Sequence, residues 1–204
     1  MDETVLRSIV KWPNVPDCYG WLALDRRGQW RMRNEYIQAN QLPGEVITHI
    51  ALNDFISRNY ASDDLGRYFF QNGPQRVFIT LDATPWIARI TPSETGLQLL
   101  THCNTVINPQ GALSDELGNL YIVGEIKPLH DETFYPAFFT SQNKMSVALL
   151  LDHDLGLFTD FAKMQEDACS FRGTWNWHEQ ELPIEPIYSP ELSKRFHFVK
   201  NPSA

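Results

Sequence analysis

The sequence predicts an α+β protein with mostly antiparallel strands, built as two similar β-rich halves that each carry a packed helix. Three observations support this class: a hairpin pattern around Asn72-Gly73, two segments with apolar residues at helical spacing, and a turn-and-strand unit that occurs three times. Asn-Gly between apolar runs is typical of a tight turn that needs positive φ, so the strands on either side should pair.

The first half begins with a predicted helix over residues 3–12. Pro13 ends it, because the residue before a proline disfavours helical geometry. A strand pair is predicted next, over 19–25 and 29–33. Apolar residues at helical spacing then predict a helix that ends near Asn59.

The central hairpin is predicted to pair residues 68–70 with 77–81. Thr84-Pro85 interrupts the apolar pattern, because proline has no N–H to donate to a ladder. Residues 86–90 then predict a third, bent or edge strand. The expected result is a three-stranded antiparallel meander.

Polar and turn-forming residues at 91–96 predict a boundary between one half at 1–92 and another at 93–204. Strands of the second half are predicted at 97–102, 105–107, 120–123 and 147–151. Asp154 is predicted to cap a helix from Leu155 to about Glu166. The proline-rich remainder is expected to wrap the surface without regular structure.

The repeated unit begins at Asp25, Asp63 and Asp115, and a glycine follows each aspartate by three residues. Apolar residues stand two and four positions after each glycine. An aspartate that starts a type I turn can accept a bond from the N–H two residues on, and glycine takes the left-handed position. Three copies fit an internal duplication, and they equally fit a common hairpin solution.

The net charge limits which classes of ligand the protein can bind. The chain of 204 residues carries a net charge of −8, which disfavours duplex nucleic acid as a ligand. No apolar run approaches the ~18 residues of a membrane span and no secretory signal opens the sequence, so a cytoplasmic location is expected. Cys18, Cys103 and Cys169 have neither the number nor the spacing of a disulfide framework or a zinc ribbon.

Recognisable catalytic chemistry is absent from the sequence. The histidines do not form a metal-binding helix face, and nucleophile elbows and glycine-rich phosphate loops are missing. In Asp152-His153-Asp154 the histidine could join a metal shell, but the cluster stands where a strand meets a helix, which favours a capping role for Asp154. We therefore predict no catalytic residue, metal site or cofactor.

Arginines on neighbouring strands suggest a surface instead. If Trp30 faces the core, strand alternation turns Arg31 and Arg33 outward. Guanidinium groups match carboxylate and phosphate geometry, so such a row suits an anionic ligand. The alternative is a solvated face that pairs with the acidic second half. The predicted ligand-binding residues, expected at the junction of the halves, are Arg31, Arg33, Arg67, Arg76, Trp21 and Tyr68.

The chain resembles a proteobacterial family of unknown function. The resemblance lies in KWPNVP…YGWL…LDRRGxW (11–30), FIxRNY…GRYFFQNGPQRV (55–77) and LPIEPI…RFxFV (182–199), and it covers nearly the whole chain. The first half is similar, more distantly, to another uncharacterised bacterial family. That likeness implies a duplicated core, a second half like a pleckstrin-homology domain, a ligand between the halves and a signalling role, with no reaction or cofactor.

These observations favour a non-enzymatic binding or signalling module for a small anionic or nucleotide-like ligand. One alternative is a small hydrolase, metal-assisted or otherwise, without a recognisable motif. Another is a scaffold that binds a partner protein.

Overall fold

The computed structural model describes residues 1–94, 96–126, 145–165 and 172–204. The chain forms two compact units, and the first joins Met1–Pro85 to His197–Ala204. The second takes the described residues of Trp86–Lys127 and Asn143–Phe196. Within the described residues, no helix is long and apolar enough to span a membrane.

The first unit contains a six-stranded sheet in the order β3-β2-β1-β6-β5-β4. Strands β1 and β6 are parallel, and the other neighbours are antiparallel. Its elements are α1 (Glu3–Lys11), β1 (Cys18–Leu24), β2 (Trp30–Met32), α2 (Glu35–Ala39), β3 (Glu45–Val46), α3 (Ile50–Arg58), β4 (Tyr60–Ser62), β5 (Tyr68–Asn72) and β6 (Gln75–Leu81). The β1–β2 and β5–β6 hairpins are therefore neighbours in one sheet.

Buried side chains of this sheet form the core of the first unit. The rings of Trp30 and Tyr60 meet edge to face at 5.2 Å, and Ile56 of α3 is buried beside this core. The Tyr60 hydroxyl donates a 2.8 Å hydrogen bond to the Pro85 carbonyl, which satisfies a polar group on a buried side chain. The predicted helices at α1 and α3 are confirmed, while α2 was not predicted.

The predicted central hairpin is confirmed, with its turn centred one residue later. Asn72 pairs with Gln75, so Gly73 and Pro74 are the two central residues. Gly73 has φ 58, and glycine with positive φ at the first central position is the pattern of a type II′ turn.

The second unit contains an eight-stranded sheet. Its strands are β7 (Trp86–Ser93), β8 (Gly96–Thr101), β9 (Val106–Ser114), β10 (Leu120–Ile126), β11 (Ser146–Leu150), β12 (Ala162–Met164), β13 (Gly173–Trp177) and β14 (Gln180–Pro186). Strands β10, β11, β7, β8 and β9 pair in succession and β9 pairs back to β10, so these five close a ring, from which β14, β13 and β12 extend. The buried rings of Phe158 and Trp175 stack at 4.8 Å in its core.

The prediction that a third strand joins the meander is wrong. Strand β7 pairs with β8 and β11 in the second unit, so the change of sheet falls between Leu81 and Trp86. The physical reason is that β6 already has β1 on one edge and β5 on the other. No edge of β6 remains for a further strand. Most described pairings are antiparallel, and the α+β class is confirmed.

The predicted long helix after Asp154 is also wrong. Helix α4 (Leu155–Thr159) is a short one, and β12 follows where the helix was expected to continue. Asp154 makes no cap hydrogen bond, and its Oδ2 instead accepts one of 2.9 Å from the backbone N–H of Ile90.

The proline-rich segment is more regular than predicted, since it contains β14, a 3-10 turn at Ser189–Glu191 and α5 (Leu192–Arg195). Pro183 precedes the pairing with β9, which starts at Ile184. Pro186 follows the pairing with β13, which ends at Ile184. The N–H of Ile187 donates to Ser114 of β9, so alternation along the strand turns the nitrogen of Pro183 toward β9 and that of Pro186 toward β13, in each case where that neighbour is not paired among the described residues.

All three D-x-x-G units form the same turn between two antiparallel strands. In each, Oδ1 of the aspartate accepts the N–H groups two and four residues on, and the glycine N–H donates to the aspartate carbonyl. Gly28, Gly66 and Gly118 have φ 77, 75 and 80. The predicted turn chemistry is confirmed, while duplication of a whole half stays a prediction.

Candidate functional site

A cavity of about 600 Å³ opens on the first unit. Its walls come from the sheet, from the loop after α2 and from the segment that returns after residue 196. The lining residues are Ala23, Leu24, Asp25, Arg31, Arg33, Gln41, Leu42, Pro43, Thr80, Leu81, Asp82, Lys200 and Asn201.

Strand register places the floor of the cavity on one face of the sheet. Arg31 of β2 pairs with Ala23 of β1, which pairs with Thr80 of β6. Residues directly opposite one another in a sheet point to the same face, and so do residues two apart along a strand. Arg33 follows Arg31 by two positions, so both predicted arginines reach this face.

Arg31 is held by the unit's own groups. Its Nε donates a 2.7 Å hydrogen bond to Oδ2 of Asp25, and its Nη1 donates one of 2.9 Å to the Gly44 carbonyl. The side chains of Arg31 and Asp25 are 21% and 12% exposed, so this ion pair is partly shielded from water. Arg31 therefore ties the first D-x-x-G turn to the loop that forms a cavity wall.

The guanidinium of Arg33 has fewer hydrogen-bond partners than that of Arg31. Its Nη1 donates a 3.3 Å bond to Oγ1 of Thr80, and its Nε is covered and has no acceptor among the described residues. Gly44 has φ 92, and a Cβ there would lie 2.8 Å from Cγ of Arg33. Gln38 donates to the Arg33 carbonyl at 3.1 Å, which fixes the backbone of this residue.

Of the described residues that line the cavity, Lys200 is the third basic one. It is half-buried, and within the described residues it forms no ion pair. Its carbonyl accepts a 2.8 Å hydrogen bond from the N–H of Leu81, which pins this part of the chain to the end of β6.

Among the described residues, three basic and two acidic side chains line the cavity. Asp25 and Arg31 neutralise each other, and Asp82, the other acidic residue of the lining, is exposed to solvent. Arg33 and Lys200 thus remain as cations without a carboxylate partner among the described residues. Partly buried cations of this kind favour an anion.

Arg67 and Arg76 do not line this cavity. Arg67 pairs with Asp63 at 2.7 Å and lies over the ring of Phe78 at 4.5 Å. Arg76 lies over the ring of Phe69 at 4.7 Å. Both cations therefore cover buried aromatic rings of the sheet.

The predicted aromatic walls also lie outside the lining. Trp21 is 41% exposed, and the ring of Tyr68 packs on that of Tyr60 at 5.3 Å. Lys200 and the loop that includes Leu42 were missed by sequence reasoning. Strand alternation gave the signal for Arg33, whereas only the fold brings Lys200 to the end of β6.

No group of three or more His, Cys, Asp or Glu side chains that could hold a metal occurs in the described ranges. His130 and Cys169 lie outside those ranges. Within the described part of the chain, Cys18 and Cys103 form no disulfide.

The second unit has a cavity of about 610 Å³ of different character. Its lining includes Trp177, His178 and Glu94, and no lysine or arginine occurs among the described residues that line it. Its described lining therefore supports an anionic ligand less well than that of the first cavity.

Comparison with known proteins gives a family and a fold. The family model DUF2944, described as "Protein of unknown function (DUF2946)", matches residues 1–203. Among the curated proteins, no match to the chain is found.

A solved structure of a DUF1285 family protein from Silicibacter pomeroyi DSS-3 has a TM-score of 0.50 at 14% identity, with 84% of each chain covered. This likeness shows a shared fold. A DUF1285 family protein from Shewanella baltica OS155 has a TM-score of 0.42 at 11% identity, with 69% of this chain and 91% of that chain covered.

Proposed function

Because the chain belongs to DUF2944, a family of proteins of unknown function, we propose its function from its own residues: the cavity of the first unit binds a small anionic ligand. The observation that carries the proposal is that Arg33 and Lys200 line this cavity without a carboxylate partner among the described residues. A carboxylate or phosphate group is the matching ligand chemistry.

Size supports this proposal. Pockets for small molecules usually enclose about 300–1,000 Å³, and this cavity encloses about 600 Å³. Leu42 and Pro43 add an apolar wall to the charged floor, as in many ligand sites. A metabolite or a nucleotide is therefore a suitable class of ligand.

Arg33 gives a physical reason for an anion at this point. A covered N–H without an acceptor costs about 1–3 kcal/mol relative to a satisfied one. A small rotation of the guanidinium toward the cavity would let Nε and Nη2 share an anionic group. Arg31 is less suited to this role, because its Nε and Nη1 already donate to Asp25 and Gly44 and the Asp25 carboxylate balances its charge.

The site proposed here has its lining within the first unit, whereas the sequence predicted a site at the junction of two halves. A signalling role, a partner protein and a second half like a pleckstrin-homology domain stay predictions. Nothing in the described residues specifically favours the hydrolase alternative or the scaffold alternative.

The test is a ligand panel of nucleotides, sugar phosphates, dicarboxylates and neutral sugars, read by thermal shift and then by calorimetry. We expect stabilisation by phosphate or carboxylate compounds only, and loss of that effect in Arg33→Ala. Arg27→Ala is the matched control, because this substitution removes the same charge from an exposed residue that does not line the cavity. Equal binding by Arg33→Ala and the wild type, or no anionic hit, would overturn the proposal.

A further inference from the structure

Residues His197–Ala204, called here the closing segment, return to the first unit after the chain has built the second. The closing segment supplies Lys200 and Asn201 to the cavity wall. Phe198 is 4% exposed, so the segment is anchored by a buried aromatic ring. The geometry of one wall of the cavity therefore depends on how this segment is held.

The second D-x-x-G turn, at residues 63–66, holds the closing segment in place. The N–H of Val199 donates a 2.9 Å hydrogen bond to the Gly66 carbonyl, and the ring Nε2 of His197 lies 3.2 Å from the Asp64 carbonyl. Contact at Gly66 is so close that a Cβ on this residue would collide with the carbonyl oxygen of His197. Glycine is thus needed here for close approach as well as for its φ of 75.

Resting on the proposed function, we infer that the second D-x-x-G turn is a dock that positions Lys200 as a ligand-binding residue, so that anion binding and docking of the closing segment are linked. Lys200 reaches the cavity because Val199 is bonded to Gly66 and Lys200 to Leu81. A ligand that contacts Lys200 binds the docked state only. By mass action it stabilises that state, and undocking weakens the ligand.

Arg33 and Lys200 belong to separate parts of the chain, and this separation indicates the class of ligand. Arg33 follows β2, and Lys200 belongs to the closing segment. A group with two negative charges, such as a phosphate, can satisfy both cations, whereas a monocarboxylate neutralises one. The inference therefore names a dianionic group as the recognised chemistry.

The chain offers a matched pair of substitutions. Gly66→Ala places a methyl group against the closing segment. Gly118→Ala makes the same change in the third D-x-x-G turn, where φ is 80 and no atom of the described residues lies within 4 Å of the added Cβ. The backbone strain is similar in both, so the difference between the variants reports the contact with the closing segment.

Two readouts are needed: hydrogen exchange at the Val199 amide, and the affinity for inorganic phosphate by calorimetry. We expect Gly66→Ala to speed Val199 exchange and to weaken phosphate binding by about tenfold. Lys200→Ala should weaken phosphate binding to a similar degree while Val199 stays protected. Gly118→Ala should match the wild type in Val199 exchange and in phosphate affinity. Acetate should bind to the wild type more weakly than phosphate.

If the Val199 amide of Gly66→Ala exchanges as slowly as in the wild type, the second D-x-x-G turn does not dock the closing segment. Faster exchange with unchanged phosphate affinity, or wild-type affinity in Lys200→Ala, would overturn the linkage. If wild-type protein binds no phosphate, the linkage to this anion fails, and the exchange comparison still decides whether the turn docks the segment. Anion binding by other members of the ligand panel then decides the proposed function separately.

Discussion

The hydroxyl of Tyr121 donates a 2.7 Å hydrogen bond to Oδ2 of Asp115, and both side chains are buried in the second unit. Asn119 donates to the same oxygen at 2.7 Å, and two backbone N–H groups donate to Oδ1. Burial raises the pKa of the Asp115 carboxyl, but these four hydrogen bonds outweigh burial and place the pKa below its ordinary value. The third D-x-x-G turn is thus built around a buried carboxylate.

Replacing Tyr121 by phenylalanine removes one of these bonds and little volume. A hydrogen bond to a charged group contributes about 1.5–3 kcal/mol, so we expect the free energy of unfolding to fall by about that amount. Urea denaturation followed by circular dichroism measures it. A loss below about 0.5 kcal/mol would show that water replaces the hydroxyl at this carboxylate.

Acid should remove the contribution of Asp115. Because its pKa is lower in the folded state than the ordinary 3.8, its stabilising effect is complete above that value and is lost as pH falls through the folded-state pKa. We expect wild-type protein to exceed Asp115→Asn in unfolding free energy at about pH 7, and the gap to narrow toward about pH 3. A gap that stays constant with pH would contradict the depressed pKa.

Arg31 should be structural, in contrast to Arg33. Arg31→Ala leaves the partly buried Asp25 carboxylate without its cation and frees the Gly44 carbonyl. We expect a loss of about 1.5–3 kcal/mol in urea unfolding, against a change within about 0.5 kcal/mol for Arg27→Ala on the surface of the same turn. Equal effects of the two variants would show that the Asp25–Arg31 pair adds nothing to stability.

Local chemistry accounts for the parts of the fold that could be predicted. The turn at Gly73, the aspartates of the three D-x-x-G turns and the apolar stripe of α3 depend on residues close in the chain. The aspartates and α3 were placed correctly, and the hairpin turn was predicted within one residue. The errors come from long-range competition. Strand β7 was assigned to the wrong sheet because the occupied edges of β6 are not visible in the sequence around Trp86.

The candidate site shows the same limit. Alternation along β2 brought Arg31 and Arg33 to one face, yet the sequence around them did not show that Asp25 would engage only one of them. Lys200 is far from both in the chain, and a backbone bond to Leu81 brings it to the cavity. A long-range contact of this kind leaves no periodic pattern in either segment.

Asp154 provides a last test, because its role differs from the predicted cap. Its Oδ2 accepts the N–H of Ile90, a buried residue of β7, at 2.9 Å. Asp154→Ala leaves that N–H without an acceptor, and we expect a loss of about 1–3 kcal/mol in urea unfolding together with faster exchange of the Ile90 amide. Asp152→Ala is the control, since Asp152 is exposed two residues away and should change stability by less than about 0.5 kcal/mol. Unchanged exchange at Ile90 in Asp154→Ala would mean that another group satisfies this N–H, and the carboxylate would then have no part in holding β7.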